Sequence, residues 1–166
     1  MTALIVVFIT LSLMGSALWI MPSKREREKM SLRMLARKHN ITVQLTSIEL
    51  PDKWDKVTEK ESVCAYHKYR EKPLKDFSDI NVYPYEVWKH PEVCKNWYAS
   101  QSFTLSERAI SILEKHHGVF VAIEISAAKV SLYWREKGDE ETVNEANELI
   151  EDLLHCLLYT SDAADE

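Results

Sequence analysis

VFVAIEIS at 119–126 and KVSLYWRE at 129–136 decide the fold. Both runs are rich in the β-branched and aromatic residues that favour strands, and only Ala127 and Ala128 separate them. So short a link permits an antiparallel hairpin and forbids the long crossover that a parallel pair needs. A helix is expected on either side of this hairpin. Upstream, Thr104 and Glu107 stand at capping-box spacing, Leu105, Ala109, Ile112 and Leu113 form an apolar stripe, and Gly118 falls at the C-terminal cap. Downstream, Gly138 and Asp139 introduce a second helix from Glu140 to about His155. Its buried stripe would be Val143, Ala146, Ile150 and Leu153, and its outer face is acidic.

Further upstream, Ile41, Val43 and Leu45 alternate with Thr42, Gln44 and Thr46, a half-buried strand that runs towards Leu50 and stops at Pro51. A polar stretch to Glu61 leads to a second strand, SVCAYHKY at 62–69, whose inward face the alternation does not decide. Between Arg70 and Ser102, Pro73, Pro84 and Pro91 prevent a long helix, while Tyr83, Tyr85, Trp88, Trp97 and Tyr98 make the segment aromatic. It reads as an irregular excursion packed on the sheet, its rings either in the core or forming a binding patch. The soluble part is thus α+β, in the order β-β-irregular-α-β-β-α, an antiparallel sheet with helices on one face.

With 166 residues, 46% hydrophobic, 28% charged, 3 Gly and 5 Pro, the chain is neither fibrous nor disordered, and 3 Cys do not make a disulfide scaffold. Charge is sharply partitioned, because no Asp, Glu, Lys, Arg or His occurs before Lys24. Residues 2–21, TALIVVFITLSLMGSALWIM, would extend about 30 Å as a helix, the thickness of a bilayer core. A transmembrane anchor is therefore expected over 1–22, with Trp19 at the interface. A cleaved signal peptide would carry its basic residues ahead of the apolar run, whereas here Lys24, Arg25, Arg27 and Lys29 follow it. By the positive-inside rule the N-terminus lies outside and the rest in the cytoplasm of a bacterial cell, at its inner membrane.

Residues 23–40 read as a basic juxtamembrane helix, capped by Ser23 and Glu26, with Met30, Met34 and Leu35 on one face and Asn40 as its stop. Residues 24–38 carry seven Lys/Arg and two Glu, whereas 39–155 hold 14 Lys/Arg against 21 Asp/Glu, so a basic collar precedes an acidic α+β domain. Lys24, Arg25, Arg27, Lys29 and Arg33, with Trp19, are the expected membrane-interface residues. Either they meet anionic lipid headgroups or they only fix topology. The acidic domain and the absence of aromatics from the collar argue against a nucleic-acid partner.

Chemistry is sparsely signalled. No nucleophile motif, Gly-rich phosphate loop or paired metal-ligand spacing occurs, and no cofactor or metal is expected. His116 and His117 are about 100° apart on a helix, which suits an interaction with the helix dipole better than a shared metal. Glu124 alternates with Ile123 and Ile125 and should face solvent. Cys64 suits burial. The leading expectation is a non-catalytic protein-interaction module tethered to the membrane, with an unknown protein partner. Its alternatives are a tethered enzyme in which Cys64, His67 and Glu124 converge in a pocket, and a periplasmic protein whose leader is cleaved.

Three resemblances accompany these readings. MPSKRERE at 21–28, followed by L-R-x-x-A and then ITVQL at 41–45, resembles a family of uncharacterised gammaproteobacterial single-pass inner-membrane proteins, which implies an anchor, a basic helix and a strand over roughly the first fifty residues. A fainter likeness to the small auxiliary subunit of the bacterial Sec translocase lacks that family's Gly-rich segment and implies no function here. The run CLLYTSDAADE, 156–166, is similar at all eleven positions to a translated frame of a transposase adapter used for sequencing libraries. That likeness implies an artefactual tail, and without its three acids the net charge of -5 becomes -2.

Overall fold

A computed structural model describes residues 2–19 and 22–156, without the side chains of 17–19, 57–59 and 156. Two units divide the chain, Met1–Ser31 and Leu32–Glu166. The first contains α1 (Thr2–Trp19) and the opening turns of α2 (Lys24–Lys38). In α1 the polar side chains return to the helix: Thr10 Oγ1 donates to the carbonyls of Val6 and Val7 at 3.0 and 2.9 Å, and Ser16 Oγ to that of Leu13 at 2.8 Å. The capping box of α2 forms as expected, with Ser23 N–H donating to Glu26 Oε2 (2.6 Å) and Glu26 N–H to Ser23 Oγ (3.3 Å). These bonds hold the Glu26 carboxyl below its ordinary pKa.

The second unit is built on one antiparallel sheet in the order β1-β2-β7-β6-β3-β5-β4. Its strands are β1 (Thr42–Pro51), β2 (Val57–Tyr69), β3 (Ile80–Tyr83), β4 (Glu92–Cys94), β5 (Trp97–Ala99), β6 (Phe120–Ile125) and β7 (Lys129–Trp134). The hairpin read from 119–136 is its centre, pairing Ile123 with Leu132 and Ile125 with Val130. Ser126 closes its turn, its N–H donating to the Lys129 carbonyl at 2.9 Å. The aromatic excursion supplies three further short strands and thereby extends the sheet beyond β6.

One face of the sheet carries the core. Cys64 and Tyr66 of β2, Val130, Leu132 and Trp134 of β7, Ile123 and Ile125 of β6 and Ile80 and Val82 of β3 pack with α3 (Glu107–Lys115) and α4 (Glu140–Cys156). Val143, Ala146, Ile150 and Leu153 of α4 are all buried, as their spacing requires. Tyr66 meets Trp134 edge to face at 5.2 Å. The second half of α2 joins this core through Leu32, Leu35 and Ala36, while Met30 and Met34 are exposed. The Met30/Met34 face expected from sequence is thus displaced: Leu32, Leu35 and Ala36, at i, i+3 and i+4, form the better stripe. The cap of α3 also differs from the expected Thr104, since Ser106 Oγ accepts from Ala109 N–H at 3.1 Å. Gly118 lies two residues past the C-cap His116, at φ +86°, where a side chain would be strained.

Candidate functional site

Among the described residues, α3 and α4 pack on the core face of the sheet, and the other face is made of the alternate positions. By alternation it carries Ala65 and His67 of β2, Ser131 and Tyr133 of β7, Ala122 and Glu124 of β6 and Asn81 of β3. The long β1–β2 hairpin curves over this face. Its tip is held to the segment after β3 by Trp88 N–H donating to the Lys53 carbonyl (2.9 Å), by Tyr85 Oη donating to that of Pro51 (3.0 Å) and by the Lys53–Glu86 pair at 3.0 Å. Beneath the hairpin is a cavity of about 290 Å³, lined by Ile48 and Glu49 of β1 together with Asn81, Tyr83, Ala122, Glu124 and Tyr133.

Register explains the polar content of this cavity. Glu124 pairs with Ser131 and with Asn81, and Ser131 pairs with His67, so one row of polar side chains crosses four strands. His67 Nδ1 is 2.8 Å from Ser131 Oγ, and both residues are buried. Burial pushes the His67 pKa down, Lys129 adds to the fall and Glu124 opposes it. Tyr133 Oη donates to Glu124 Oε2 at 2.5 Å. Burial first, then the Glu124 bond, pushes the Tyr133 phenol far above its ordinary range. Tyr83 stacks on His90 at 6.1 Å, and its phenol too is raised by burial. Glu124, expected to face solvent, is instead half-buried with a phenol as its partner. Sequence reasoning missed Tyr133 and Ser131, whose role follows only from the cross-strand register.

The proposed convergence of Cys64, His67 and Glu124 does not occur. Cys64 alternates onto the helix-covered face, while His67 and Glu124 lie on the opposite one. Cys64 sits instead beside Glu136, whose side chain is 2% exposed and receives Arg33 Nε at 2.7 Å and Nη2 at 2.5 Å. Burial, and next the Glu136 charge, push the thiol up to about 12. Such a thiol holds its proton and is a poor nucleophile. Arg33 is thereby already engaged by a carboxylate, whereas Lys24, Arg25 and Arg27 are exposed and Lys29 partly so. Trp19 ends α1, but its side chain lies outside the described residues, as do residues 157–166 of the adapter-like run.

His116 is buried, its Nε2 2.5 Å from Glu145 Oε2, and Lys115 bonds Glu141 and Glu145 at 2.7 Å each. These contacts tie α3 to α4. Among the described residues no group of His, Cys, Asp and Glu is arranged to hold a metal ion. Among them, too, no helix is long and apolar enough to cross a membrane. The part of α1 with described side chains, residues 2–16, extends only about 22 Å. No known protein family, curated protein or solved structure matches the chain.

Proposed function

We propose that this chain is a protein-interaction module held at the cytoplasmic face of a bacterial inner membrane, with α1 as the anchor and the cations from Lys24 to Lys29 at the headgroups. The observation that carries this reading is the exposure of α1. Leu4, Ile5, Val6, Val7, Phe8 and Ile9 are each more than half exposed on a helix without a charge. At 1.5–3 kcal/mol for each large apolar side chain, leaving this helix in water costs on the order of 10 kcal/mol. Lipid removes that cost and requires no polar face.

The interaction role is supported by the sheet edge. β1 is the terminal strand, ten residues long, and carries no charge before Glu49. Edge strands are ordinarily blunted by lysines, prolines or bulges; β1 has its proline and its register shift only at its far end, Leu50 and Pro51, which leaves Thr42 to Glu49 to accept an added strand from a partner. Leu45, midway along it, is 69% exposed.

One experiment examines both parts. The full chain, carrying a photo-crosslinking residue in place of Leu45, is produced in bacteria and its membranes are floated on a density gradient. The reading expects the chain in the floating fraction after alkaline washing, protected from protease in intact spheroplasts, with adducts at position 45 that are absent when Lys137 is replaced instead. A chain that stays at the bottom of the gradient, or is digested from outside, overturns the tethering. Adducts that are equal at both positions overturn the edge.

A further inference from the structure

Rows of side chains cross the sheet from strand to strand, and one of them ends in the open. Phe120 of β6 stands opposite Trp134 of β7, Trp134 opposite Cys64 of β2, and Cys64 opposite Leu45 of β1. The first three are buried in the core. Leu45, on the same face, is the most exposed large apolar side chain described in the second unit. Among the described residues no strand lies beyond it.

The geometry of an antiparallel ladder restricts how a second β1 could continue this row. Backbone N–H and C=O groups point alternately to either side of a strand, so two copies of one strand pair only residues of like parity. The two-fold axis then passes through one residue and its own copy. β1 is regular from Thr42 to Glu49 and shifts register between Leu50 and Pro51. Two axes pair most of that stretch, through Leu45 or through Thr46. The Thr46 axis sets Val43 against Glu49 and Leu45 against Ser47. The Leu45 axis sets Leu45 against itself and pairs the uncharged run Thr42–Ile48 wholly with its own copy.

Charge agrees with the Leu45 axis, which brings Glu49, opposite Lys60 in its own chain, to the Ile41 end of the other copy. There the Ile41 N–H donates to the Ala36 carbonyl at 3.1 Å, which folds this end against the last turn of α2 with its exposed Arg37 and Lys38. No like charges meet. β4, the other terminal strand, has three residues and a register shift, a poor head-to-tail partner for β1, so the pairing closes as a dimer.

We propose that β1 pairs antiparallel with β1 of a second copy of this chain on a two-fold axis through Leu45, so that one sheet and one apolar row run through both copies. This rests on the reading of β1 as an interaction edge and names its occupant.

The test is disulfide trapping of the full chain in isolated membranes. Leu45→Cys, at an exposed position, sets identical cysteines directly opposite with Cβ atoms about 4.5–5.5 Å apart, near what a disulfide spans. Mild oxidation is expected to give a reducible covalent dimer about tenfold or more above that of Lys137→Cys. Val43→Cys and Ser47→Cys are expected to trap a mixed dimer when the two chains are produced together, and little when either is produced alone. Adding Leu45→Lys to both chains sets like charges on the axis and is expected to abolish that mixed dimer, whereas Leu45→Lys in one chain and Leu45→Glu in the other retains it. Trapping at position 45 no greater than at 137, trapping of Val43→Cys or Ser47→Cys alone as strong as the mixed pair, or a mixed dimer indifferent to the two lysines overturns the self-pairing. In that event, photo-adducts at position 45 to a different protein leave the edge reading standing with another occupant, and the absence of any adduct removes both.

Discussion

Arg33 and Glu136 give the sharpest test of how α2 is fastened to the sheet. Glu136 has a side chain 2% exposed and a backbone at φ +54°, a region that residues other than glycine seldom adopt. Arg33, at 28% exposure, is its counter-ion. Replacing Arg33 with Met retains much of the apolar stem but takes the guanidinium away from a carboxylate that is almost fully buried, which costs up to about 3–5 kcal/mol. Glu136→Gln leaves the more exposed guanidinium able to hydrate and keeps one neutral acceptor, so its cost is about 1–2 kcal/mol. The double variant contains neither charge and is therefore expected to be more stable than Arg33→Met alone, with a coupling of about 2 kcal/mol. Urea unfolding of the four proteins in detergent, followed by tryptophan fluorescence, measures all three differences. The reasoning is refuted if Arg33→Met costs under about 1 kcal/mol, or if adding Glu136→Gln to it brings further loss.

Cys64, with its thiol pushed up to about 12 by burial and by Glu136, should hold about 1,000-fold less thiolate than an ordinary cysteine at pH 8. Mass spectrometry after brief alkylation at that pH is expected to show Cys64 unmodified in the native chain and labelled in urea, and fast native labelling would contradict the burial argument. Tyr133→Phe removes the phenol that donates to Glu124 and is expected to cost about 1.5–3 kcal/mol in the same urea assay. The phenols of Tyr66, Tyr83 and Tyr133 are all raised by burial, so each remains protonated as pH climbs through the ordinary tyrosine range. Absorbance titration should therefore reveal phenolate from these three only above that range, and Tyr133→Phe should remove one late-titrating group.

What could be read from the chain follows the range of the interactions concerned. The 119–136 hairpin and the stripe of α4 rest on local periodicity and a two-residue link, and both are legible without tertiary information. The capping box at Ser23 and Glu26 is equally local. The hairpin pairings in the aromatic excursion were not legible, because β4 and β5 have three residues each and depend on β3, which itself depends on β6. The face of α2 was misassigned because Met30 and Met34 match helical spacing as well as Leu32 and Ala36 do, and only the joining of Leu32 and Ala36 to the core separates the two. The candidate cavity was least legible. Its polar row depends on three registers at once, and the Arg33–Glu136 and Arg70–Leu154 contacts span 103 and 84 residues with no local trace.

The division of α2 bears on what could hold the protein to a membrane. If the whole helix were free to lie on anionic headgroups, its seven cations would contribute about 1 kcal/mol each. From Leu32 onward, however, the helix is committed to the core: Leu32 and Ala36 are buried, and Arg33 is spent on Glu136. The first half of α2 carries four cations, Lys24 to Lys29, against Glu26 and Glu28, a net of two charges, so its attraction to anionic lipid amounts to at most about 2 kcal/mol. Binding that weak is transient, and the acidic remainder of the folded domain would reduce it further. The collar by itself would orient an insertion, not sustain one, so under the proposed reading a lasting association with a bilayer would have to come from the uncharged surface of α1 and not from the cations after it.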